Sequence, residues 1–255
     1  CQYDKDLGDQ RWQKLTARVL GKGDRAAVSP TEYFDHVAAT QWAHTPAAME
    51  AAEMLNIGGE GEVEGPKILD LGCGSAVWSC AMAHRDAKAT ITAVDFPGPI
   101  AAATTMAESI GLAPRFTAIQ ADPASAETAA ENHLPSDFDI ALIAQRLFAQ
   151  QPAEQAALLK RAVASIQPGG RVIVIDLFRG PTKPNLTEST EALKLELETQ
   201  GGGIKTLKEA ESLLVNEGLE KIKFTFIAAS RMGLGMMVAF KPESSEAPAS
   251  SEAPE

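Results

Sequence analysis

The sequence predicts an α/β fold: a mostly parallel sheet with helices on both faces, ended by an antiparallel strand pair and preceded by a small helical segment. Three observations carry this expectation. From Pro66 onward, short apolar runs alternate with helix-forming stretches, the rhythm of a parallel sheet covered on both sides. The first run leads through Asp70-Leu71 into Gly72-Cys73-Gly74, a strand feeding a glycine turn and a helix start. Near the C-terminus, residues 221–227 and 235–240 form two apolar runs whose connection is too short for a crossover helix, so they pair antiparallel.

Taken in order, residues 1–62 carry no strand signal. Helices are expected at 11–20 and 31–57, interrupted by Gly21-Lys22-Gly23-Asp24 and by Pro46. Ser29-Pro30-Thr31-Glu32 places a proline and an acid where a first helical turn wants them. Tyr33, Phe34, His36, Trp42 and His44 crowd one stretch of a chain only 5% aromatic. The polar connector Gly58-Gly59-Glu60-Gly61-Glu62 is the expected boundary between a helical extension, 1–62, and the main domain, 63–241. Strands are expected at 67–71, 90–94, 115–120, 138–144 and 171–177, and helices at 77–85, 99–110, 124–132 and 153–166. After Phe178 come a proline-containing loop, a helix at 186–199, a Gly201-Gly202-Gly203 hinge, and a helix at 206–217 stopped by Gly218. With the terminal pair, the sheet has seven strands. Residues 242–255, rich in Pro, Ser, Glu and Ala, are expected to be a disordered acidic tail.

The composition excludes several classes. A formal net charge of −11 opposes nucleic acid or anionic lipid as a partner. No apolar run approaches the roughly 20 residues that span a bilayer. Three cysteines, Cys1, Cys73 and Cys80, make no disulfide framework, so a reducing, cytoplasmic setting is expected. They make no metal signature either, and Cys73 and Cys80 read as buried fillers. An initial cysteine suits an acylated lipoprotein or a longer protein that has been trimmed; nothing after Cys1 resembles a tether, and the second reading is preferred.

The chemistry gathers at the strand tips. Asp70, Asp95 and Asp122 each end a strand and so share the carboxyl edge of one sheet. A single such acid is more often a cap for the next helix. Three in phase beside Gly72-x-Gly74 indicate a ligand edge, and an acid some 20 residues past a glycine turn is where a ribose diol is held. A nicotinamide dinucleotide fits less well, because the third glycine of its fingerprint would fall on Val77.

Leu69-Asp70-Leu71-Gly72-Cys73-Gly74, Val94-Asp95, Ala121-Asp122 and Pro168-Gly169-Gly170-Arg171 resemble the class I S-adenosylmethionine-dependent methyltransferases, with their Rossmann-like fold. Val94-Asp95-Phe96-Pro97, Asp137-Phe138-Asp139 and the run to Asp176 narrow the resemblance to small-molecule O-methyltransferases of the caffeate and hydroxyneurosporene type. The resemblance spans about 31–241. It implies S-adenosylmethionine as cofactor, with its methionine part over Asp70, Gly72, Cys73 and Gly74. It also implies its ribose on Asp95, its adenine beside Phe96 and at Ala121-Asp122, and its sulfonium end near Gln145. It further implies a homodimer made through an N-terminal winged-helix domain that this sequence lacks.

The departures from that pattern concern the base. The family histidine that deprotonates the acceptor falls on Phe148, and a phenyl ring takes no proton. Of the two acids that flank it, one position is filled by Asp176 and the other falls near Ile204. Three explanations remain open: transfer by proximity and orientation alone, a substitute base from His36 or His44, or a protein that binds the cofactor without methylating. The expected function is methyl transfer to a small-molecule hydroxyl, with His36, His44 and Asp176 as candidate catalytic groups. Phe34 and Phe148 are the candidate pocket residues. A non-methylating cofactor-binding protein and an N-methyltransferase are the alternatives.

Overall fold

In the computed structural model, which describes residues 12–17, 20, 29–125, 134–180, 183–199 and 201–243, β1 (Lys67–Leu71) lies inside the sheet between β2 (Thr90–Asp95) and β4 (Phe138–Ala144). The sheet also contains β3 (Phe116–Gln120), β5 (Ile166–Asp176), β8 (Glu220–Phe226) and β9 (Gly235–Phe240). Its seven strands run in the order β3-β2-β1-β4-β5-β9-β8. Strands β1 to β5 pair parallel, whereas β9 pairs antiparallel with both β5 and β8. The order reverses between β1 and β4, which opens a crevice at their carboxyl ends, the usual ligand site of such sheets.

The central strands alternate between two cores. Ile68, Ile91, Ile140, Leu142, Ile173 and Ile175 face one side. There they meet α2 (Thr45–Met54), α3 (Val77–Arg85) and α4 (Pro97–Ser109). Leu69, Leu71, Ala141, Ile143, Val172 and Val174 face the other side, against α5 (Pro152–Ser165) and α7 (Leu207–Asn216).

The N-terminal helices are part of this body. Helix α1 (Pro30–Thr40) starts at a capping box in which the Glu32 N–H donates to Ser29 Oγ and the Ser29 N–H to Glu32 Oε2. The expected interruption falls earlier than Pro46, at a 3₁₀ turn over Gln41–His44. Pro46 instead occupies the first turn of α2, where its missing N–H leaves no bond unmade. Ala47, Ala48, Ala51 and Ala52 are buried, and their small side chains let α2 join the core around Trp78 and Met82. The 58–62 connector therefore separates two stretches of sequence that share one core.

Other differences are local. Strand β5 begins at Ile166, because Pro168-Gly169-Gly170 is accommodated as an irregularity opposite β4 between Phe138 and Ile140. A two-residue parallel pair, β6 (Phe178–Arg179) with β7 (Lys205–Thr206), appears where sequence periodicity has no length to act. Between them lies α6 (Leu186–Glu198), opened by an Asn185–Glu188 capping box. The helix expected at 124–132 falls mostly on residues 126–133, outside the described residues, as does all but the start of the expected tail.

Candidate active site

The crevice is built on the turn after β1. Gly72 has φ +76° and Gly74 φ +57°, left-handed values that favour glycine. A Cβ on Gly72 would run into the side chain of Arg146, and one on Gly74 into that of Gln41. The Gly74 N–H donates to Asp95 Oδ2 at 3.0 Å, and the Phe96 N–H to Asp95 Oδ1 at 2.8 Å. Asp95 is thus tied to the turn it was expected to accompany. Burial pushes its carboxyl up, opposed by Arg146 and by these two N–H groups. Asp70 accepts from the Ser79 hydroxyl, and its burial pushes its pKa up to about 7. Cys73 and Cys80 are buried free thiols, both pushed up by burial.

Two cavities flank this turn. The first, of about 300 Å³, is lined by Phe34, Phe96, Asp122, Arg146 and Gln150 among others. Asp122 Oδ1 accepts from the Ala124 N–H at 2.9 Å, and the Ala121 N–H donates to the Asp95 carbonyl at 2.9 Å, which fixes the β3 tip beside the β2 tip. The second cavity, of about 120 Å³, collects His36, His44, Gln145, Asp176, Glu191 and Lys194. All three candidate catalytic groups therefore line one space, brought from α1, the 3₁₀ turn and the end of β5. His44 stacks on Trp78 with ring centres 6.0 Å apart, and its Nε2 lies 3.2 Å from the Gln145 amide nitrogen. Burial, assisted by Lys194, lowers its pKa, so the imidazole is neutral near pH 7. Asp176 accepts from the N–H groups of Leu177 at 3.0 Å and Phe148 at 3.3 Å, and burial pushes it up to about 7.

Phe148 corrects an expectation. Its backbone N–H reaches Asp176, but its ring is fully buried and lines neither cavity. It packs edge-on to Phe178 at 5.3 Å in the core beneath the sheet. An apolar ring gains more from that core than from a polar cavity. Phe34 does line a cavity, the larger one on the Asp122 side, while Ile204 lines the smaller one.

Three residues that sequence reasoning passed over complete the site. Gln41, 1% exposed, accepts from the Ser75 N–H at 2.8 Å and so clamps the 3₁₀ turn onto the glycine turn. Arg146, also 1% exposed, donates through Nη1 to Asp95 Oδ1 at 3.2 Å. Lys194 pairs with Glu191 at 3.0 Å, and both line the cavity that holds His44. Only Arg146 left a signal in the sequence, a cation immediately after an apolar strand.

The residues present fit a nucleoside joined to an amino acid. Asp70 Oδ1 and Gln41 Nε2 are buried with no hydrogen-bond partner among the described residues, at either side of a glycine cradle and an acid placed for a diol. Such orphaned groups are costly unless a ligand completes them.

This sheet, with its crevice at the carboxyl ends of β1 and β4, is a Rossmann-like α/β fold shared with solved methyltransferases. Residues 68–170 match the family described as a methyltransferase domain. Ubiquinone biosynthesis O-methyltransferase of Pseudomonas aeruginosa is 29% identical over 118 residues, 46% of this chain and 47% of that protein. The enzyme of the same name from Pseudomonas putida is 25% identical over 165 residues, 62% of this chain and 65% of that protein. The chain thus spans about half the length of the first of these curated relatives. Among solved structures, an O-methyltransferase family protein from Burkholderia thailandensis superposes with a TM-score of 0.73 at 16% identity, over 95% of this chain and 71% of that one. Human N-acetylserotonin methyltransferase, solved in complex with S-adenosylmethionine, gives 0.71 at 18%, over 94% and 69%. At these identities what is shared is the fold.

Proposed function

We propose that this protein transfers a methyl group from S-adenosylmethionine to a hydroxyl of a small molecule. The observation that carries the proposal is the shared wall of the two cavities. Consecutive residues Gln145 and Arg146 line one each, so a ligand edge and a pocket of proton-accepting groups meet across a single peptide. When bound, the cofactor supplies an electrophilic methyl group.

The chain's own residues then do the rest. Asp95 holds the diol, Gly72 and Gly74 admit the backbone-close part, and Phe96 and Asp122 bound the purine side. His44, neutral near pH 7, accepts the acceptor's proton at an imidazole nitrogen, and Gln145 orients the ring. Asp176 carries negative charge into the same cavity once ionised, and His36 closes its α1 side. Phe148 has no part in proton transfer. Residues 31–44 of the helical extension act as the cover of both cavities, with 63–241 as the binding domain.

A cytoplasmic homodimer belongs to the same reading. No helix among the described residues is long and apolar enough to cross a membrane, and Trp42, Leu186 and Phe226 offer exposed apolar surface.

Calorimetry with S-adenosylmethionine and S-adenosylhomocysteine tests the reading: micromolar binding is expected, and no heat with either ligand overturns it. His44→Ala should lower kcat on a hydroxyl acceptor by about 10²-fold or more, in the range of lost general-base catalysis; an unchanged kcat removes His44 from that role.

A further inference from the structure

The glycine turn is closed by a side chain of this protein. Arg146 donates to Asp95 at 3.2 Å, and both residues are 1% exposed. Its guanidinium carbon lies 3.2 Å from the centre of the Phe34 ring and 5.2 Å from that of Phe96. Its Cγ and Cδ cover Gly72 on the side a Cβ would take. Nε and Nη2 have no hydrogen-bond partner among the described residues. The residue before it, Gln145, is held at φ +53°, an unfavourable value for a side chain that is not glycine.

A buried guanidinium with one good hydrogen bond and two unpaired nitrogens is poorly compensated. What keeps it there is the lack of anything better to fill the slot. Asp95 needs a partner when buried, and the gap beside Phe34 and Phe96 takes a flat group. A guanidinium is planar, donates hydrogen bonds and stacks on aromatic faces. A nucleoside has the same attributes, with diol hydroxyls to give to a carboxylate and a flat base to stack. Two such occupants cannot share the one Asp95 oxygen and the one aromatic slot.

We propose that Arg146 is the resident occupant of the nucleoside seat, that the cofactor must displace it to bind, and that it thereby sets the affinity and ligand preference of the site. This rests on the cofactor reading above. The apparent Kd is the intrinsic Kd divided by the fraction of molecules whose seat is open, so the guanidinium weakens every adenosyl ligand in common. Once displaced it remains tethered one residue from Gln145, and its charge stays near the site. A sulfonium feels that like charge and a thioether does not. Arg146 therefore favours S-adenosylhomocysteine over S-adenosylmethionine.

The test is calorimetry on the full chain with both ligands, for the wild type, Arg146→Ala and Arg146→Gln. The glutamine keeps a hydrogen-bond donor for Asp95 and guards against loss of folding, which thermal unfolding monitors. Both ligands should bind at least about tenfold more tightly to the variants, and the gain should be larger for S-adenosylmethionine. Unchanged or weaker binding in the folded variants overturns displacement, and equal gains for the two ligands overturn the preference. Absence of binding to wild type and variants alike removes the cofactor reading itself, and this proposal with it.

Discussion

Phe148 and Asp176 are joined by one hydrogen bond yet serve opposite environments. The Phe148 amide supports the carboxyl in the cavity, while its ring sits in the core. Truncation there leaves a hole: Phe148→Ala should cost about 3–5 kcal/mol in urea unfolding. Phe148→His, which restores the residue type the family resemblance expects, should also destabilise, since it buries a polar ring away from the cavity; recovery of methyl transfer without loss of stability would contradict this placement. Asp176 has a pKa of about 7, and His44 one below its ordinary value. A pH–rate profile for methyl transfer should therefore rise through about pH 7 as Asp176 ionises, and Asp176→Asn should flatten that step while leaving the protein folded. A profile unchanged by the substitution would assign the step to another group.

At the scale of elements, the site depends on a strand, a turn and two clamps. The turn needs glycine at 72 both for its backbone, at φ +76°, and for the space Arg146 occupies. Gly72→Ala should lose more than about 1 kcal/mol of stability from the backbone alone and weaken cofactor binding as well; a variant as stable as wild type would show that the turn relaxes. The clamps come from the N-terminal segment: Gln41 on Ser75, and Phe34 on Arg146. In the sequence this segment reads as helical, with aromatic residues and histidines concentrated in it. Its docking onto the glycine turn was not legible, because the rotation of a helix about its axis is decided by what it packs against. The positions of the strands along the chain and the three acids at their tips were legible, since short apolar runs and the acids that end them leave local marks.

For the whole molecule, the buried acids make stability depend on pH. Asp70 has an ordinary value of 3.8, and its burial raises the folded value to about 7. The folded state then binds more protons than the unfolded one between those values. Its contribution to stability is complete below about pH 4 and is lost as pH rises toward 7. Urea midpoints of the ligand-free protein should fall over that window, and Asp70→Asn should remove part of the slope; an identical slope in the variant would show that Asp70 ionises freely. A saturating ligand opposes the loss through its own binding free energy, about 2.7 kcal/mol at a hundred times its Kd.

The sequence by itself determined the order of elements, the glycine turn and the acids at its edge, because each is a local pattern of residue type and spacing. Only the tertiary structure decided that Phe148 turns into the core, that His36, His44 and Asp176 share one cavity, and that Arg146 lies on Asp95. Those outcomes depend on which buried groups can satisfy one another across 28 to 101 residues of chain. Burial and hydrogen-bond completion are properties of the packed whole, and no local stretch encodes them.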